Sequence, residues 1–305
     1  MLRYDGTMPA TRSCLLASHA AVAVTGRDAR AFLQGQLSND ILGLERHPGM
    51  LAASCNRQGR VLATMRLAAD GDGVLLLLNA QLARTLVSQL SAFVLRADVR
   101  FEDRSRQLLV AGLIDAEPDA HWSRAAAAAA GLSMLVASPR RILLAGNRQS
   151  LDAALAVVPR TTPDDWERVT IADGEASIMP ATAALWTPQM LNLDLIGGLS
   201  FSKGCYVGQE VVARAQHLGR IKRRTLRYVG PHDAVLAPAQ ALFSGEALAA
   251  QVVGSARDAS ATECLAVVEL RYCSDLLGAR PGGSEFVPAD LPYAIPAPAQ
   301  SADDD

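Results

Sequence analysis

At 305 residues the chain is longer than one average domain, so two or three compact units are expected. Half of it is hydrophobic and a fifth is charged, which supplies buried cores and excludes global disorder. A net charge of −2 excludes whole-molecule attraction to nucleic acid or anionic lipid, so any anion site has to come from a local cluster.

The opening stretch MLRYDGTMPATRSCLLASHAAVAV lacks the clean apolar core of a secretory signal, because Ser18 and His19 interrupt it. No later window approaches the ~18 uninterrupted apolar residues of a membrane span. Ala20 to Val24 predicts a short strand, Gly26 a turn, and Asp28 to Leu37 a helix with Phe32, Leu33 and Leu37 on one face. Strands are expected over Leu51 to Ser54 and Arg60 to Leu67. The run Asp70-Gly71-Asp72-Gly73 is a hairpin signal that leads into a strand over Val74 to Leu78. Gln81 to Leu95 reads as a helix whose buried stripe is Leu82, Leu86, Leu90, Phe93 and Val94. A strand over Gln107 to Leu113 and a helix within 115–131, carried by the alanines Ala125 to Ala130, come next.

Arg141 to Ala145 then predicts a strand and Ser150 to Val158 a helix. Thr162, Pro163, Asp164 and Asp165 form a helix start, each suited to the orphan amides and positive end of the dipole. Trp166 and Val169 share one side of that helix. Beyond about residue 224 the pattern becomes short strands between Gly, Pro and Ser turns, ending near Val268, which is a small all-β unit. The Pro- and Ala-rich tail from about Pro288 is expected to fray. Strands and helices interleave without regular βαβ spacing, so α+β lobes are expected rather than a doubly wound sheet. No GxGxxG or GxxxxGK[ST] loop supports a dinucleotide or P-loop site.

The five cysteines, Cys14, Cys55, Cys205, Cys264 and Cys273, are odd in number and scattered, which suits a reducing cytoplasm. With no CxxC or Cys/His cluster, no metal or iron–sulfur site within one chain is expected.

The chemistry concentrates in 187–224, TPQMLNLDLIGGLSFSKGCYVGQEVVARAQHLGRIKRR. Ser200 to Lys203 reads as a strand end, Gly204 as a tight turn, and Gly208 as the entry to a helix over Gln209 to His217. Cys205 then sits just before a helix start and two residues after Lys203, and both features favour a thiolate over a free thiol of pKa about 8.5. The plainer alternative is a small buried hydrophobe. Glu210 suits the first helical turn and is free to accept from a ligand. The basic run Arg220, Lys222, Arg223 and Arg224 reads as a solvated connector, or as an attractor for a polyglutamate tail or RNA phosphate. Without interleaved aromatics it argues against direct nucleic-acid binding.

Lys203-Gly204-Cys205-Tyr206-Val207-Gly208-Gln209-Glu210, with Arg214 four residues on, resembles the KGCYxGQExxxR signature of the YgfZ family. Pro188-Gln189, Asn192-Leu193 and Gly197-Gly198-Leu199-Ser200-Phe201 fit the same template, as does Phe32-Leu33-Gln34-Gly35-Gln36-Leu37 followed by Asn39-Asp40. The resemblance covers about residues 18 to 290, within the glycine-cleavage T-protein superfamily. It implies an α+β fold: a three-lobed ring with two α+β lobes and a small C-terminal β-barrel. The implied division is two interleaved lobes over 1–224 (14–48 with 150–224, and 49–149), a barrel over 225–290, and a disordered tail over 291–305.

It further implies a tetrahydrofolate bound in a central funnel. Trp166 matches a folate-contacting tryptophan of the family, and His19 stands where the family has a second one, offering a smaller stacking face. Tyr206, Gln209, Glu210 and Arg214 complete the implied folate contacts, and Cys205 with Lys203 the reactive pair. The implied function is a cytoplasmic, folate-dependent factor for assembly or repair of iron–sulfur clusters, with client proteins or assembly machinery as partners and a link to tRNA modification. The alternative is a one-carbon transferase, either aminomethyltransferase-like or a demethylase with Asp40, Glu210 or Asp194 as base. Against glycine cleavage, Ala63 and Thr64 stand where that branch carries an acidic pair.

Overall fold

The computed structural model describes residues 10–118, 122–217 and 221–296. In chain order the first elements are β1 (Arg12–Leu15), β2 (His19–Thr25), α1 (Ala29–Gln34), β3 (Met50–Cys55), β4 (Val61–Asp70), β5 (Gly73–Asn79), α2 (Ala80–Ser91) and β6 (Arg100–Asp103). A five-stranded antiparallel sheet forms from them in the order β3-β4-β5-β2-β6. Its hairpin turns at Asp70–Gly73, as the sequence signal requires, and β4 alternates strictly, with Val61, Ala63, Met65 and Leu67 buried. α2 lays Leu82, Ala83, Leu86 and Leu90 against the core. It ends at Ser91, four residues before the expected end, in a tightened turn where the Phe93 amide donates to Leu90 and that of Val94 to Ser91. Phe93 is therefore exposed instead of completing the stripe.

The next elements are β7 (Leu109–Ile114), α3 (Arg124–Ala129), β8 (Leu132–Ser138), β9 (Arg141–Gly146), α4 (Arg148–Ala154) and α5 (Pro163–Ala172). β1, β7, β9 and β8 make a second antiparallel sheet, in that order. The first sheet thus joins β2 to strands from 49–103, while β1 joins the second. α5 carries the capping box read from its sequence: the Thr162 hydroxyl accepts from the Asp165 amide at 3.1 Å, and Asp165 accepts from the Thr162 amide at 3.1 Å. Its inner face sets Trp166, Thr170 and Ile171 into the interior.

After α6 (Gln209–His217) come β10 (Arg223–Gly230), β11 (Ala241–Ser244), β12 (Ala247–Arg257), β13 (Thr262–Glu269) and β14 (Val287–Ala289). They form a third antiparallel sheet, β11-β12-β13-β10-β14. Phe243 of β11 exchanges backbone hydrogen bonds with Gly278, and Leu277 with Phe286 beside β14, so the ladder runs round into a small barrel over Tyr228, Leu242, Val252 and Phe286. Ser200 to Lys203, expected as a strand end, is a bend. The tail expected to fray from Pro288 is instead held through β14 and as far as Tyr293, whose hydroxyl donates to the Gly174 carbonyl at 2.8 Å. Residues 297–305 lie outside the described residues.

Candidate functional site

Where the first two sheets face each other, under α5, a cavity of about 280 Å³ opens. β2 and β5 bring His19, Leu77 and Asn79 to it, β4 brings Thr64 and Arg66, β9 brings Arg141 and Leu143, and α5 brings Trp166 and Glu167. The alternation that buries Val61, Ala63, Met65 and Leu67 leaves Thr64 and Arg66 on the opposite side of β4, toward this space.

A buried ion network forms the seam between the two sheets. Glu175 accepts from Arg66 Nε at 3.0 Å, from Arg66 Nη2 at 2.6 Å and from Arg141 Nη2 at 2.6 Å. Arg66 also donates to the carbonyls of Gly49 and Ala137, and Arg141 to Asp173 and the Thr170 hydroxyl. Burial alone would raise the Glu175 carboxyl, but Arg66 and Arg141 outweigh it and hold it down to about 2. Burial likewise opposes the charge on Arg141, and Glu175 and Asp173 restore it. Two guanidinium groups set against two carboxylates leave this network itself without net charge.

Trp166 is only 3 % exposed. The Arg141 guanidinium lies 5.1 Å from its ring centroid, a cation–π contact, and its six-membered ring lies against Gly112, where an added Cβ would come within 2.4 Å of Cε3. It is thus a fixed wall of the cavity as well as a core residue. His19 is partly buried with Nδ1 3.2 Å from the Ser18 hydroxyl, and burial pulls its imidazole down to about 4, so it is neutral at physiological pH. The Thr64 hydroxyl donates to the Ala176 carbonyl and accepts from the Ile178 amide, both at 3.2 Å. No carboxylate stands there.

The signature residues form a separate construction. Lys203 is buried, and its ammonium donates to three backbone carbonyls: Gln34 at 2.5 Å, Leu37 at 2.5 Å and Asn39 at 2.9 Å. Burial pulls it down to about 8, with Asp40 opposing, so at neutral pH it keeps its charge and its three protons meet three acceptors. Ser38 donates to the Gly198 carbonyl at 2.7 Å and Asn39 to that of Gly197 at 2.8 Å. The FLQGQLSND and GGLSFSKGC segments, more than 150 residues apart, are therefore one unit. Gly208, at φ +83°, brings the start of α6 onto the 56–59 turn, where a Cβ would meet the Asn56 carbonyl oxygen at 2.4 Å.

Cys205 is exposed on this unit. Lys203, expected to act on the thiol, spends its three donors on the carbonyls instead. Tyr206 is buried and its amide donates to Gln209 Oε1 at 3.1 Å, while Glu210 and Arg214 pair with each other on the exposed face of α6 at 2.9 Å. Of the residues expected to contact folate, His19 and Trp166 line the cavity; Tyr206, Gln209, Glu210 and Arg214 do not. The basic run is dispersed. Arg224 is buried in a bidentate pair with Asp194 at 2.6 and 2.9 Å, Arg223 pairs with Glu269, and Arg220 lies outside the described residues. Asp194, offered as a base, is committed to that pair.

Sequence reasoning missed Arg66, Arg141, Glu167 and Glu175. Its available signal was the arginine at the head of the apolar run Ile142 to Ala145, a charge that a strand buried on both faces has to pair. Among the described residues no group of three or more His, Cys, Asp or Glu converges to hold a metal ion, and no helix is long and apolar enough to cross a membrane.

No protein-family model matches the chain. It is 29 % identical over 226 residues to the tRNA-modifying protein YgfZ of Vibrio atlanticus, covering 71 % of this chain and 69 % of that protein. It is 31 % identical over 218 residues to the protein of the same name from Edwardsiella ictaluri, covering 66 % of each. In fold it is similar to the glycine cleavage system aminomethyltransferase T of Bartonella henselae, with a TM-score of 0.71 over 92 % of this chain and 85 % of that one at 15 % identity.

Proposed function

The chain belongs to the YgfZ family and has the fold of the glycine cleavage system aminomethyltransferase T, and from that premise we propose that it is a cytoplasmic folate-binding factor supporting assembly or repair of iron–sulfur clusters in client enzymes, tRNA-thiolating ones among them. The observation that carries the folate reading is the cavity between the two sheets. Its volume is close to the ~300 Å³ at the small end of ligand sites, and its walls combine apolar side chains, Trp166, Leu77 and Leu143 among them, with polar groups such as His19, Asn79 and Thr64. A flat ring with a polar edge has those needs. Trp166, Leu77 and Leu143 would enclose the ring, neutral His19 would meet it without repelling a protonated nitrogen, and the Arg66–Glu175–Arg141 seam holds the walls at fixed separation. Tetrahydrofolate supplies a reduced pteridine and a one-carbon carrier when bound.

Cys205 is assigned to the client side. Its thiol is exposed on a loop that Lys203, Asn39 and Ser38 hold rigid, ready to engage a cluster or a partner cysteine. Lys203 serves this function as a positioning residue. Glycine cleavage is disfavoured by Thr64, whose hydroxyl is committed to backbone where a carboxylate is needed to handle a protonated amine.

The assignment is tested in cells lacking the protein. Cys205→Ala is expected to leave iron–sulfur enzyme activity and tRNA thiolation unrestored while the purified variant still binds tetrahydrofolate. Full restoration by that variant would remove the thiol from the function.

A further inference from the structure

α5 has a second working face. Trp166, Glu167 and Thr170 turn to the cavity between the sheets, while Arg168, Val169 and Ala172, on the other side of the helix, border a separate cleft of about 270 Å³. Arg12 of β1, Arg140 of the β8–β9 turn and Arg227 of β10 enclose the rest of it. Four guanidinium groups from four elements thus converge on one small space.

Two buried carboxylates organise them. Asp115 accepts from Arg12 Nη2 at 3.1 Å and from Arg140 Nε at 3.0 Å. Glu263 accepts from Arg168 Nη2 at 3.2 Å and from Arg227 Nη2 at 2.6 Å, and Arg168 also pairs with Asp258. Asp165, which borders the same cleft, is committed to the Thr161 and Thr162 hydroxyls and the Thr162 amide. In each pair one guanidinium keeps donors to spare. Arg12 is hydrogen-bonded through Nη2 alone, and Arg168 Nε is buried with no acceptor among the described residues. A buried N–H without an acceptor is destabilising. The cleft is therefore short of acceptor atoms.

We propose that this cleft is a second binding site, for the phosphate group of a small phosphate monoester. Planar N–H forks match phosphate oxygens in pairs, and the shared carboxylates hold the forks aligned before a ligand arrives. The four guanidiniums are balanced by Asp115, Asp165, Asp258 and Glu263, so recognition comes from aimed N–H groups rather than from excess charge. That favours an anion with several oxygens over chloride. Val169 and Ala172 give the cleft an apolar end, which suits the carbon of an ester. The site lies on the far side of α5 from the proposed folate cavity and stands whether or not folate binds there.

The test is calorimetric titration and thermal unfolding of the full chain with inorganic phosphate, glycerol 3-phosphate and glycerol, in sodium chloride at constant ionic strength. Both phosphates are expected to bind and raise the melting temperature, glycerol 3-phosphate more tightly, and glycerol to do neither. Arg12→Gln leaves Asp115 paired with Arg140, so it is expected to fold normally and to bind both phosphates on the order of tenfold more weakly, the scale of a hydrogen bond to a charged group. Arg12→Lys, which keeps the charge without the fork, is expected to recover little of that loss. Tetrahydrofolate titrations are expected to be the same in wild type and both variants. No phosphate binding by wild type, or equal phosphate affinity in Arg12→Gln, overturns the site. Competition between phosphate and tetrahydrofolate overturns it as well, by placing the phosphate in the other cavity.

Discussion

His19 and Glu175 line one cavity but respond oppositely to burial. Burial empties the imidazole of its proton, whereas two arginines keep the carboxylate charged. Their pH signatures are separable. Above about 6.5 the imidazole is neutral in folded and unfolded chains alike. Below that, the unfolded chain takes up a proton that the folded one, with its imidazole near 4, refuses, so stability falls as the pH drops from about 6.5 toward 4. Glu175 acts lower: its contribution is fully present above about 4.5 and is lost as the pH falls toward 2. His19→Gln is expected to flatten the melting-temperature profile between pH 6.5 and 4 and leave the steeper loss below it. An unchanged slope would mean that His19 is hydrated in the folded protein. Trp166 and His19 were legible only through a family resemblance. Arg141, Glu167 and Glu175 were not legible, because which charges meet depends on how two sheets pack, and no local pattern encodes that.

At the scale of elements, local signals read best where the chemistry is local. The capping box of α5, the Asp70–Gly73 hairpin and the α6 start at Gln209 follow from residues three or four apart. Less legible was the destination of the Lys203 side chain. Proximity in sequence tied it to Cys205, whereas the fold sends it to carbonyls 164 to 169 residues away. The ammonium acts as a pin through the loop after α1. Lys203→Met is expected to cost about 2–4 kcal/mol in denaturant unfolding, because three inward carbonyls lose a charged donor. Lys203→Arg should rescue little, since a planar guanidinium cannot aim three N–H groups at so compact a set of acceptors. Wild-type stability for Lys203→Met would show that water replaces the ammonium at no cost.

Across the whole molecule, the three sheets are joined by a few polar ties. Arg66 and Arg141 join the first two through Glu175, while Arg168 of α5 pairs with Glu263 of the barrel, and Asn192, at φ +57°, donates to the Thr225 carbonyl at 2.7 Å. The α+β class and an all-β C-terminal unit were readable from strand length and turn spacing. The split of β1 from β2 was not, since only three residues separate the strands and both are short and apolar. This assembly sorts the five cysteines. Burial pushes Cys14 up to about 11 and Cys55 and Cys264 up to about 12, while Cys205 and Cys273 are exposed. Brief alkylation of native protein at pH 8 is expected to label Cys205 and Cys273 alone, as read by peptide mass spectrometry. Labelling of Cys55 at a comparable rate would show that the first sheet opens in solution.

The proposed function requires the cavity between the first two sheets to be a folate site, and anaerobic calorimetric titration of the reduced protein with tetrahydrofolate tests that most directly. Saturable binding of one equivalent is the predicted result. An absence of heat and of competition with a fluorescent folate analogue at millimolar ligand would contradict it, and would leave Cys205 and its pinned loop as the remaining basis for function.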